Sequence, residues 1–201
     1  MRTSARTPAR TFADFVTISG RVGYARPAMR FYALTFMTLF ASLCLASCWN
    51  NGGCVEGDAC ECSQGDECYL GCDGDDCDQR CFQMNRCGAV CEHGCSFECF
   101  DVDECSASCG DDCDLNCHNT AACGAICDRD CRYECHDTSR CGVSVGSGSV
   151  VTCRNVTTCE VECRGSCEVF CNNVGGECRV TCPGGEAAVV CPNGSRSCGG
   201  C

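Results

Sequence analysis

The chain has 201 residues, 32 of them cysteine, no lysine at all, and a net charge of −12. A cysteine content above about 8–10% marks a disulfide scaffold made for an oxidising compartment. Residues 1–47 hold six arginines and one acid, Asp14, whereas residues 48–201 hold nine arginines and 26 acids, a net −17 that repels nucleic acid and excludes it as a main partner.

Residues 1–28, arginine-rich with Pro8 and Pro27, read as an extended leader, or as the result of a start assigned at Met1 instead of Met29. Residues 29–47 have the layout of a secretory signal peptide: Arg30, an apolar stretch from Phe31 to Leu45, then small residues. Leu45-Ala46-Ser47-Cys48 resembles the lipobox of bacterial lipoproteins. The resemblance implies that Cys48 is lipidated and becomes the first residue of the mature chain. It also implies an anchor in a membrane of the cell envelope, with the body facing the periplasm or the exterior. Parity agrees, because 30 cysteines follow Cys48 and an even set can pair completely. On this reading Cys44 leaves with the signal. An ordinary cleaved signal and an uncleaved membrane anchor are the alternatives.

Residues 48–61, with Cys54 and Cys60, read as a tether and N-terminal cap, and residues 62–201 as a repeat. Cysteines recur 18 residues apart at 81, 99, 117, 135, 153 and 171, in units of Cys-x5-Cys-x3-Cys-x3-Cys-x3. A fixed period of this size signals a solenoid. One unit is Cys81, Cys87, Cys91 and Cys95; the next is Cys99, Cys105, Cys109 and Cys113; then Cys117, Cys123, Cys127 and Cys131. Cys153, Cys159, Cys163 and Cys167 repeat it, and Cys62, Cys68, Cys72 and Cys77 fit with one extra residue.

With the first cysteine as position 1, the cysteines fall at positions 1, 7, 11 and 15. All are odd, so in extended chain they share a face. Position 9 (Ala89, Ala107, Ala125, Val143, Val161) and position 17 (Phe97, Leu115, Tyr133, Val151, Val169) are apolar on that same face. Each unit therefore predicts two short strands, such as residues 87–91 and 95–99. A short turn links positions 11 and 15, and a longer one links positions 1 and 7. The long turn carries Asp101, Asn119, Asp137, Asn155 and Asn173 at position 3, residue types that tolerate left-handed backbone. The expected fold is all-β: a narrow parallel β-solenoid of 18-residue, two-strand coils threaded by disulfides. In outline it resembles the disulfide-threaded β-solenoids of insect antifreeze proteins.

The unit starting at Cys135 and Cys141 indicates the pairing, because Val145 and Ser149 replace both later cysteines together. Pairing of positions 11 and 15 leaves no orphan, which predicts 91–95, 109–113, 127–131 and 163–167. Elimination gives 81–87, 99–105, 117–123, 135–141 and 153–159, with 54–60, 62–68 and 72–77 before them. At the C-terminal end, Cys171–Cys178 and Cys191–Cys198 are expected to close enlarged long turns, leaving Cys182 and Cys201 to join successive coils. Bridges between coils remain an alternative, since coils stack about 4.8 Å apart.

Candidate chemistry is sparse. Cys-x3-Cys lies within zinc-ligand spacing, but an export signal argues against free thiolates. Acidic short turns (Asp73, Asp75, Asp76; Asp111, Asp112; Asp128, Asp130) offer calcium-type oxygens without an EF-hand or RTX loop. His118 and His136 occupy position 2 of adjacent units, and Asn155-Val156-Thr157 and Asn193-Gly194-Ser195 fit the glycosylation sequon. The outward pairs provide no threonine ladder of the kind ice binding needs. No nucleophile, paired-carboxylate or phosphate-loop constellation stands out. The chain resembles the cysteine-rich repeat lipoproteins of bacteria. The resulting expectation is a non-catalytic, envelope-anchored structural or interaction module with no cofactor, a membrane contact through lipid, and a protein or glycan partner. Metal binding, through thiolates or acidic turns, is the alternative.

Overall fold

The computed structural model describes residues 53–201. The expectation at Cys48, and those on residues 1–47, lie outside the described residues. The fold is the expected β-solenoid, about 7 coils of some 18 residues, with no α-helix among the described residues. Strands β1 (Gly53–Val55), β2 (Ala59–Asp73), β3 (Asp78–His93) and β4 (Ser96–Asp111) stack in parallel. From β4 onward each coil separates into two strands. β6 (Ala122–Arg129), β8 (Arg140–Val145), β10 (Thr158–Cys163) and β12 (Cys178–Thr181) continue one parallel sheet. β5 (Asp114–His118), β7 (Arg132–His136), β9 (Ser149–Arg154) and β11 (Cys167–Asn172) continue the facing one.

Register follows the cysteines. Cys81↔Cys99↔Cys117↔Cys135↔Cys153↔Cys171 are Cα partners, as are Cys87↔Cys105↔Cys123↔Cys141↔Cys159. Disulfides therefore stack in two columns, one at each edge of a flattened coil. The long-turn column runs from Cys62–Cys68 through Cys81–Cys87, Cys99–Cys105, Cys117–Cys123, Cys135–Cys141 and Cys153–Cys159 to Cys171–Cys178. The short-turn column holds Cys72–Cys77, Cys91–Cys95, Cys109–Cys113, Cys127–Cys131 and Cys163–Cys167. Cys54–Cys60 closes the first described segment.

Between the columns lies a thin apolar layer in which bulk on one sheet is matched by smallness on the other. Position 17 reads Phe97, Leu115, Tyr133, Val151 and Val169, and all are buried. Position 9 of the same coils reads Ala89, Ala107, Ala125, Val143 and Val161. Large faces small in the first three coils, and valine faces valine in the last two, so the side-chain volume between the sheets stays similar from coil to coil. Tyr133 carries a cost, because its buried hydroxyl has no hydrogen-bond partner and burial pushes its pKa well up.

The long turn departs from simple alternation. Gln83, Asp101, Asn119, Asp137, Asn155 and Asn173 all adopt left-handed backbone, with φ between 53° and 56°. That residue reverses the facing of the next one. Position 4, although even, thus points inward, and Met84, Val102, Thr120, Thr138 and Val156 are buried against the disulfides. The Thr120 and Thr138 hydroxyls reach Sγ of Cys123 and Cys141 at 3.0 and 3.3 Å.

The coil without a short-turn bridge is filled instead of cross-linked. Val145 stacks between Cys127 and Cys163, fully buried. Ser149 Oγ accepts a hydrogen bond from the Cys131 backbone N–H at 3.2 Å. Gly146 is required at this turn, since a Cβ there would lie 1.5 Å from the Asp128 carbonyl oxygen. Arg164 passes over that turn and donates to the Cys127 carbonyl at 2.6 Å and to the Asp128 carboxylate at 2.9 Å. An arginine clip across three coils stands beside the missing bridge.

The C-terminal end corrects the expected pairing. The bridges are Cys182–Cys198 and Cys191–Cys201, not Cys191–Cys198 and Cys182–Cys201. The chain does not wind another coil here. After a 3-10 turn at Pro183–Gly185 it forms a hairpin of β13 (Val189–Val190) and β14 (Arg196–Cys198), and β14 lies antiparallel against β11. Left-handed glycines at 184, 185 and 194, beside Pro183 and Pro192, turn the chain back. Cys198 is then the Cα partner of Cys167, and Cys182 follows β12 on the facing sheet, so their bridge extends the short-turn column by an antiparallel route.

Two substitutions test this packing. Tyr133→Phe removes the unpaired hydroxyl and is expected to raise stability by about 1–2 kcal/mol in denaturant unfolding. Gly146→Ala is expected to lower it by about 1–3 kcal/mol through the backbone clash.

Candidate functional site

Among the described residues the cysteines are structural. Groups such as Cys91, Cys109 and Cys113, or Cys113, Cys127 and Cys131, bring sulfurs within 4.8 Å of one another, but every member is in a disulfide. A disulfide sulfur is not a thiolate, so these clusters hold no zinc-type ligand set in the oxidised protein.

The acidic short turns are partly neutralised by arginines of neighbouring coils. Asp111 pairs with Arg129, whose guanidinium holds the Asp111 carboxyl below its ordinary pKa, and Asp128 pairs with Arg164. Two of the expected oxygen ligands, Asp111 and Asp128, are therefore spent on ion pairs between coils. At the long turns, Asp66, Glu67, Asn85, Arg86, Asp103 and Glu104 line a shallow depression. Arg86 lies between Glu67 and Glu104, at 2.9 and 3.2 Å, so the only cation lining it is already paired.

His118 and His136 lie one above the other as expected, with ring centroids 4.8 Å apart and planes within 5°. The stack is longer than the two histidines suggest. Phe82, Phe100, His118 and His136 form a continuous ladder, with Phe82–Phe100 and Phe100–His118 both at 5.2 Å. Arg80 lies over Phe100 at 5.2 Å and pairs with Glu98 at 2.9 Å. Parallel rings one strand spacing apart cannot both place a single ion in their planes, so the pair is a packing ladder and not a two-histidine metal site. Sequence reasoning stopped at the histidines. The signal that extends the ladder was position 2 itself, aromatic at Phe82 and Phe100.

A second ladder follows position 3. Asn155 Nδ2 donates to Asp137 Oδ1 at 3.0 Å, and Asn173 Nδ2 donates to Asn155 Oδ1 at 2.8 Å. Asp137 also accepts from His136 Nδ1 at 2.9 Å, and these two donors, the histidine first, depress its pKa. At the other sequon, Asn193 Nδ2 and the buried Ser195 hydroxyl donate to Glu168 at 3.0 and 2.7 Å, which lowers the Glu168 pKa and ties the C-terminal hairpin to β11. The outer faces thus carry columns of like residues, and the polar groups of Asp137, Asn155 and Asn173 bond along one of them. No family model, curated protein or solved structure matches the chain closely enough to place it in a family.

These pairs fix a pH dependence. Asp111, Asp137 and Glu168 have folded pKa values below the ordinary 3.8 for Asp and 4.5 for Glu. Their stabilisation is therefore complete above those ordinary values and is lost as pH falls through the depressed ones. The melting temperature is expected to fall on acidification below that range, and Arg129→Ala to move the Asp111 midpoint upward in an NMR titration.

Proposed function

We propose that this protein is a non-catalytic lipoprotein of the cell envelope, tethered through a lipidated Cys48, whose solenoid acts as a rigid structural or interaction module. The observation that carries the reading is the self-sufficiency of the cysteines. All of those from Cys54 to Cys201 pair with one another in fifteen bridges, so the solenoid needs nothing from Cys48. Such a set belongs to an oxidising compartment, and a lipobox-like Leu45-Ala46-Ser47-Cys48 precedes it.

Rigidity follows from the architecture, since each coil is fastened at one or both edges and its polar columns bond internally. The net −17 of residues 48–201 argues against nucleic acid and leaves a protein or glycan as the partner proposed. Solenoids present long, regular surfaces, and here the ring ladder from Phe82 to His136 and the shorter ladder of Asp137, Asn155 and Asn173 are repeated features of that surface.

Membrane fractionation with intact mass tests the reading. The expected result is a membrane-bound chain that begins at Cys48 with a lipid adduct, and a Cys48→Ala variant released to the soluble fraction with its disulfides intact. A wild-type chain that is already soluble and unlipidated overturns it.

A further inference from the structure

The geometry points to a reactivity of the short-turn sulfur column beyond its structural role: a single thiol released at Cys72 moves along the column by disulfide exchange as far as Cys131, and no further.

Proximity and register carry the inference. Cys72 Sγ lies within 4.8 Å of both sulfurs of Cys91–Cys95; Cys91 Sγ lies equally close to both of Cys109–Cys113; and Cys113 Sγ to both of Cys127–Cys131. Cys91, Cys109 and Cys127 are Cα partners in neighbouring coils. On the facing sheet, the bonds from Ser96 N to Cys77 O, Asp114 N to Cys95 O and Arg132 N to Cys113 O stack Cys77, Cys95, Cys113 and Cys131 in the same way. A bridge between such neighbours spans one strand spacing, about 4.8 Å, inside the 4.4–6.8 Å Cα range a disulfide accepts.

The steps balance without an oxidant. A thiolate on Cys72 attacks Cys91; the Cys72–Cys91 bond forms, the Cys91–Cys95 bond breaks, and the electron pair leaves on Cys95. Cys95 then attacks Cys113 and releases Cys109, and Cys109 attacks Cys127 and releases Cys131. Each step exchanges one S–S bond for another, and the thiolate crosses from sheet to sheet as it advances by one coil. The first thiolate comes from loss of the Cys72 partner, or from a small dithiol: its first sulfur attacks Cys72 and expels Cys77, and its second closes on the first, forming a cyclic disulfide and releasing Cys72. Exposure falls from 8% at Cys72 through 7% at Cys91 and 5% at Cys109 to 0% at Cys127, so among these an external thiol meets Cys72 first. The next coil offers Val145 and Ser149 where the sulfurs should be, so the path ends there and Cys163–Cys167 is insulated. Opening one bridge is thus shared among the coils before the gap and withheld from those after it.

The Cys77→Ser variant of the whole chain leaves Cys72 as the odd thiol. After equilibration at mildly alkaline pH and alkylation, peptide mapping is expected to find about a quarter of the label on Cys72 and the rest on Cys95, Cys109 and Cys131. Adding Val145→Cys with Ser149→Cys is expected to carry label on to Cys167. Wild-type protein given less than one equivalent of a small dithiol provides the same readout if the variant does not fold. Label confined to Cys72, or to the Cys72–Cys77 pair in the wild type, overturns the path. So does label on Cys163 and Cys167 without the two added cysteines.

Discussion

A disulfide holds its two Cα atoms about 4.4–6.8 Å apart, whereas sheets packed through ordinary side chains sit about 10 Å apart. In this solenoid the shorter distance governs at the edges: the bridges that close the turns have Cα separations of 6.0–6.5 Å. A coil pinched in this way has room for one pair of apolar side chains between its columns. That limit explains the alternation of Phe97 with Ala89 and of Tyr133 with Ala125, and the shared valines of the later coils. So thin a core removes little apolar surface from water. Each closure of a short loop contributes about 2 kcal/mol on the chain-entropy model, and the repetition of bridges replaces the bulk a globular core would supply.

The Cys135 coil shows what happens when this constraint is relaxed at one edge. Valine fills the sulfur volume, serine satisfies a backbone N–H, and Arg164 ties the coils on either side, over a turn whose glycine has a counterpart at Gly110 in a bridged coil. Val145, Ser149 and Arg164 serve one site, so the coil is a built variant of the repeat. It also divides the sulfur column in two, giving the molecule a chemical boundary that its backbone regularity hides.

Much of this was legible in the sequence, because cysteine spacing and strand alternation express the same parity. Val145 and Ser149 were informative by their joint departure from the pattern, which indicated that positions 11 and 15 face each other. Three features lay beyond that logic. A left-handed residue at position 3 flips the facing of position 4, so strict alternation misplaces Met84, Val102 and Thr120. The ring ladder mixes phenylalanine with histidine, and a search for metal ligands sees only half of it. The reversal after Thr181 keeps cysteine spacings that resemble another coil, although Pro183, Gly184 and Gly185 mark a turn. Spacing counts residues and does not record chain direction, so it points Cys182 to Cys201, whereas an antiparallel strand brings it Cys198. The candidate surfaces were less legible than the fold, since they emerge only when coils are stacked in register.

Rigidity follows from the same constraint. A body this dependent on oxidised sulfur keeps its bridges only under oxidising conditions, and its outer columns are fixed at strand spacing. The account stands on the disulfide columns being the effective core. Far-UV circular dichroism of the folded protein during complete reduction in native buffer, without denaturant, tests that most directly. The account predicts that the β signal collapses as the bridges open. A fully reduced protein that keeps its β spectrum would show that the apolar layer and the strand ladders suffice, and would contradict it.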